Sequence, residues 1–120
     1  MRYRLKSFQY ALEGMKTMLT EEPNAKIHSL ITLVVVFAGL FFQISRWEWV
    51  AVVLCTGWVF SMELVNTSIE RMANFVSPQF HEAIKRIKDL AAAAVLMSAI
   101  GSVITGFIIF LPKIVELISG

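Results

Sequence analysis

Three stretches of this chain carry no charged side chain, and their lengths limit the fold more than any other feature. Residues 90–111 are 22 consecutive residues without Lys, Arg, Asp or Glu. As a helix rising about 1.5 Å per residue, that run crosses a hydrocarbon core about 30 Å thick. Residues 27–44 supply 18 more, with only His28, Ser29, Thr32 and Gln43 as polar interruptions. Residues 49–62 are too short to span alone and become a full span if the helix continues through Glu63. The competing reading is a soluble helical bundle, but three such runs would overfill the core of a 120-residue domain. The chain is therefore expected to be an all-α membrane protein and a single membrane domain over residues 1–120. Its transmembrane helices are expected at about 26–44, 47–75 and 86–112.

The segments between the runs fit this layout. In residues 3–20, Leu5, Phe8, Leu12, Met15 and Leu19 recur at spacings of three and four, with Arg4, Lys6, Gln9, Glu13 and Lys16 largely elsewhere. That pattern predicts an amphipathic helix, either lying in the membrane interface or packed on the bundle. Pro23 suits the first turn of a new helix. Trp47 and Trp49 suit an interfacial aromatic belt. Ser77-Pro78 should end the second span, leaving a polar loop over residues 77–86. Ala94, Ser98, Gly101, Ser102 and Thr105 give the third span a small-residue face for close helix approach. Pro112 is expected at the far interface.

Location matters more than the formal net charge of +2. Arg2, Arg4, Lys6, Lys16, Lys26, Arg71, Lys85, Arg86 and Lys88 share one side of a three-span layout, leaving only Arg46 and Lys113 on the other. The positive-inside rule makes the first side cytoplasmic, including the N-terminus and the 71–89 segment. No basic block interleaved with aromatics points to nucleic acid. The basic start lacks the apolar stretch and cleavage site of a secretory leader. Cys55, the only cysteine, sits inside the second span and reads as a packing residue.

One residue resists the apolar logic. Glu63 closes an uncharged run, and an acid near the bilayer centre costs about 2.5–3.5 kcal/mol on insertion scales. At helical spacing, Glu63, Asn66, Thr67, Glu70 and Asn74 share one polar face. A carboxylate deep on that face suits general-base work, while Glu70, one turn or two nearer water, suits a divalent ion. Glu21 or Glu22 can join Glu70 in that role. The bland reading makes Glu70 an interfacial charge and pairs Glu63 with a lysine, such as Lys88, for packing. Lys88-Asp89 opens the third span: a lysine there meets phosphate as a point charge, or snorkels as a membrane anchor. His81 reads as an exposed loop histidine or a nucleotide contact, and His28 as a polar residue at a helix interface. There is no P-loop, no dinucleotide fingerprint, no protein-kinase signature, no G-x-S-x-G elbow and no zinc spacing.

The stretch Glu63-Leu-Val-Asn66-Thr67-Ser-Ile-Glu70, followed by His81 and Lys88-Asp89-Leu-Ala-Ala-Ala-Ala, resembles the prokaryotic diacylglycerol kinase family, which includes undecaprenol kinases. Glu22, Asn24, Lys26, Ile27 and His28 match it as well, and the resemblance runs from the surface helix to Pro112. It implies a homotrimer of three-span subunits with a cytoplasmic N-terminal amphipathic helix, in a bacterial cell membrane, with active sites shared between neighbours. It implies ATP as co-substrate, Mg²⁺ as cofactor and a membrane lipid alcohol as acceptor. Glu63 matches the catalytic base, supported by Asn66; Glu22 and Glu70 match the acids that hold magnesium at the ATP phosphates. Tyr10, His81, Lys88 and Asp89 match further ATP contacts, and no lipid contacts carry over. The chain departs from the family pattern at Gln79-Phe80 and Asn74, and in the register of the N-terminal arginine, Arg2 or Arg4. The Glu22–His28 segment, the loop before His81 and the ending around Pro112 favour undecaprenol over diacylglycerol as acceptor. The rival classes are a non-enzymatic membrane assembly protein and, more remotely, a proton-coupled transporter subunit. Paired inverted repeats with broken helices, which a transporter would call for, are absent from the sequence.

Overall fold

The computed structural model describes residues 2–120, which form four α-helices. They are α1, Arg2–Glu21; α2, Pro23–Phe42; α3, Arg46–Val76; and α4, Glu82–Ser119. The last three are long and apolar enough to cross a membrane.

Each boundary has a local chemical cause. Glu22 is extended at the N-cap of α2 and Pro23 follows at the first turn, where its missing N–H costs nothing. Gln43 closes α2 in the left-handed region at φ 51°, and its N–H returns to the carbonyls of Gly39 and Leu40. Two residues later Ser45 and Glu48 form a capping box that starts α3. Helix α3 stops at Val76, just before Ser77-Pro78. His81 caps α4, its Nδ1 accepting from the Ala83 N–H at 3.1 Å.

Helix α4 is longer than expected at both ends. The polar connection is shorter than residues 77–86, because the cap at His81 lets Glu82–Arg86 form a first turn with an Arg86–Glu82 pair. At the other end Pro112 lies inside the helix. A proline there removes one backbone bond, to the Ile108 carbonyl, and the apolar residues beyond it carry the helix on to Ser119.

The principal seam joins α3 and α4. The predicted small-residue face lies on it: Ser98 is fully buried, and Ser102 points its hydroxyl at the Cys55 carbonyl, 3.5 Å away. Trp58 packs so closely on Gly101 that a Cβ there would come within 2.8 Å of the indole. Trp49 does the same to Gly39 on α2, at 2.6 Å. At the end of the bundle away from the α3–α4 turn, Lys113 donates to Glu48 at 2.8 Å, tying α4 to the start of α3. Helix α1 is joined to the rest through its C-terminal part, where Met18 is 2% exposed. The small apolar cluster of Ile44, Val52 and Ile109 lies near the same end as Glu48, so the polar residues of α3 sit outside it.

Candidate active site

Helix α3 presents the polar face that its spacing foretold, graded from dry to wet. Glu63 is 2% exposed and Asn66 and Thr67 are each 8%, whereas Glu70 is half-buried and Asn74 exposed. The Asn66 amide Nδ2 donates to Glu70 Oε1 at 3.2 Å, linking the two levels of the stripe. Two buried oxygens on the face have no hydrogen-bond partner among the described residues: Glu63 Oε1 and Asn66 Oδ1. A buried polar atom without a partner costs stability, so their pairing marks the centre of the site.

The partner of Glu63 comes from α2. His28 Nε2 is 3.3 Å from Glu63 Oε1, within ion-pair range but outside aligned hydrogen-bond geometry. The sequence offers Lys88 as this partner, and the structure supplies His28 instead. The signal was available in principle. His28 and Glu63 are both polar interruptions of apolar runs, and such groups in adjacent spans tend to meet. Helical period gives the face of one helix, not the identity of the helix it meets.

A second missed residue is Arg71. Its guanidinium donates to Glu21 Oε2 at 2.9 Å and Glu22 Oε1 at 3.3 Å, tying the α1–α2 junction to α3 beside Glu70. Glu22 is thereby held, through Arg71, beside the wet end of the α3 stripe. Among the described residues no group of three or more His, Cys, Asp or Glu side chains is arranged to hold a metal ion.

The remaining predicted residues are placed less uniformly. Lys88, half-buried at the mouth of α4, donates to Asn74 Oδ1 and so joins the wet end of the stripe. Asp89 instead accepts from Lys85 at 2.8 Å, one turn away on its own helix. His81 is committed to its capping bond, and Tyr10 is 65% exposed on α1. The structure thus brings Glu22, Glu63, Asn66, Glu70 and Lys88 to one region and leaves Tyr10, His81 and Asp89 at its exposed margin.

Beside this cluster runs an apolar groove of about 380 Å³ between α2, α3 and α4. Val35, Phe60, Val103, Phe107 and Phe110 are among its walls, and His28 stands at its polar limit. Through His28, the groove meets the buried carboxylate of Glu63.

Comparison with known proteins points the same way. Residues 9–110 match the family described as prokaryotic diacylglycerol kinase. An undecaprenol kinase of Bacillus subtilis is 37% identical over 109 residues, covering 91% of this chain and 89% of that protein. A diacylglycerol kinase of Synechocystis is 32% identical over 114 residues, 94% of this chain and 65% of that longer relative. A diacylglycerol kinase of Escherichia coli is 25% identical over 101 residues, 84% of this chain and 83% of its own. The chain belongs to the prokaryotic diacylglycerol kinase family.

Proposed function

We propose that this protein, a membrane lipid kinase by family, transfers the γ-phosphoryl group of ATP to the hydroxyl of undecaprenol, giving undecaprenyl phosphate. One observation carries the reading: a carboxylate, 2% exposed, meets an apolar groove through His28. The B. subtilis relative supports the polyprenol acceptor. Diacylglycerol, giving phosphatidic acid, is the second reading, supported by the names of the Synechocystis and E. coli relatives.

In the proposed reaction the lipid hydroxyl gives its proton to Glu63 as its oxygen attacks the γ-phosphorus. The new O–P bond forms while the bond from that phosphorus to the β-bridging oxygen breaks, and ADP leaves with the electron pair. The proton then passes from Glu63 to solvent. Asn66 supports the step by holding Glu70 through its amide. Lys88 meets phosphate charge, and Asp89, His81 and Tyr10 complete the nucleotide contacts from the exposed margin. Phosphoryl transfer asks little covalent chemistry of a protein, so positioning and charge neutralisation supply most of the rate.

Glu22 and Glu70 would hold the magnesium ion. The donor set fits: Glu22 is bound by Arg71, the residue that follows Glu70, and Mg²⁺ is commonly held by one or two carboxylates with substrate phosphates completing the shell. When bound, the ion neutralises charge on the ATP phosphates. Arg71, which occupies Glu22 here, must yield that carboxylate or share it.

The assembly belongs to the same reading: a homotrimer in a bacterial cell membrane, with α1 an amphipathic helix on the cytoplasmic face and the 71–89 segment beside it. The exposure of Tyr10 and Asp89 supports active sites completed by a neighbouring subunit. An acceptor panel of undecaprenol, diacylglycerol and ceramide with ATP and Mg²⁺ tests the function. Undecaprenol should give the highest kcat/KM, and product from none of the three would refute the reading.

A further inference from the structure

We infer that His28 is a positioning residue of the phosphoryl transfer: it fixes the carboxylate of Glu63 in its working orientation without occupying the oxygen that receives the proton. This rests on the reading of Glu63 as the base.

Three features of the structure combine. First, His28 is aimed. Its ring stands edge-on to Phe60, with centroids 6.5 Å apart and planes at 77°, and in that pose Nε2 faces Glu63 at 3.3 Å. Second, the contact is incomplete in a useful way. His28 Nε2 approaches only Oε1, which is closed to solvent and makes no aligned hydrogen bond among the described residues. The contact orients the carboxylate through that oxygen and leaves the other, Oε2, for a hydroxyl proton. Third, His28 stands between the two halves of the site. It lines the apolar groove, which Glu63 does not, so a lipid head leaving the groove passes His28 on the way to the carboxylate. The side chain is 23% exposed and makes no other side-chain polar contact among the described residues.

A packing role alone explains these facts less well. The neighbouring buried position of α2, Ala25, is filled by a small apolar residue, and the other polar side chains of the groove are small ones, Thr32, Thr56, Ser102 and Thr105 among them. An imidazole is unnecessary for that surface, and its approach to an acid on another helix is what sets it apart.

The test uses the full-length protein in mixed micelles with ATP, Mg²⁺ and undecaprenol, comparing His28→Leu, His28→Gln, Glu63→Gln and the double variant His28→Leu/Glu63→Gln. Misplacing a reacting group by about 1 Å costs on the order of 100-fold. His28→Leu should therefore lose tens of fold in kcat while its KM for ATP stays within about twofold of the parent. His28→Gln, whose amide keeps an N–H toward Glu63, should recover about half of that loss on a logarithmic scale. The double variant should be no slower than Glu63→Gln alone, because His28 acts through Glu63. The inference is overturned if His28→Leu keeps the parent kcat, or if its loss adds in full to that of Glu63→Gln. A loss confined to the melting midpoint, with parent kcat in the folded fraction, also overturns it. Failure of the functional reading would look different, since the parent itself would then yield no phosphorylated lipid.

Discussion

Glu63 and Asn66 are costly residues for a membrane helix, and each carries a buried oxygen without a hydrogen bond among the described residues. Removing the charge of Glu63 should therefore relieve the fold while disabling the reaction. Glu63→Gln is expected to unfold no lower than the parent and to lose roughly 100-fold or more in kcat, the range of a general base. Differential scanning calorimetry and initial rates on one preparation check both halves. Asn66→Ala is expected to behave differently. It frees Glu70 from its 3.2 Å donor, and losing a hydrogen bond to a charged group costs about 1.5–3 kcal/mol, so kcat/KM should fall roughly tenfold to a hundredfold. At this scale the sequence was most readable where one helix sufficed: the spacing of Glu63, Asn66, Thr67 and Glu70 predicted their common face. His28 and Arg71 were missed as partners because their roles depend on which helix stands opposite, and no helical period encodes that.

The helices were legible in number and approximate position because their charge-free runs are long and their ends carry strong signals, Pro23, the Ser45–Glu48 box and Ser77-Pro78 among them. Helix α4 was underestimated because proline usually stops a helix, while inside an apolar segment it removes only one bond. The seam between α3 and α4 depends on the absence of a side chain at Gly101. Gly101→Ala places a methyl carbon 2.8 Å from the Trp58 ring, so one helix or the indole must shift. Overpacking of this kind costs about 1–3 kcal/mol, and the loss should appear as a lower melting midpoint in detergent. The paired variant Gly101→Ala/Trp58→Phe should regain part of it, because the smaller ring vacates the contested space.

For the whole molecule, large apolar side chains such as Phe37, Phe41, Ile108 and Ile118 face outward, as a lipid-facing or subunit-facing surface requires. A single chain carries no signal for how many copies share that surface, so the proposed trimer rests on family resemblance. Orientation is directly testable through thiol labelling. In a Cys55→Ser background, Ser77→Cys in spheroplasts should react with an impermeant maleimide only after permeabilisation. A cysteine replacing Gln43, in the turn between α2 and α3, should react from outside. The reverse pattern would invert the topology and place the acid cluster away from cytosolic ATP. Shared active sites, completed from the exposed margin, predict that co-assembled Glu63→Gln and Asp89→Asn subunits recover activity that neither has alone.

The central claim is that Glu63 takes the proton of a lipid hydroxyl during transfer from ATP. Its most direct measurement follows radiolabelled γ-phosphate into undecaprenol, under single turnover, for the parent and Glu63→Gln at matched folding and ATP occupancy. The account predicts labelled undecaprenyl phosphate from the parent and a transfer step slowed roughly 100-fold or more in the variant. Transfer at the parent rate by Glu63→Gln would contradict it.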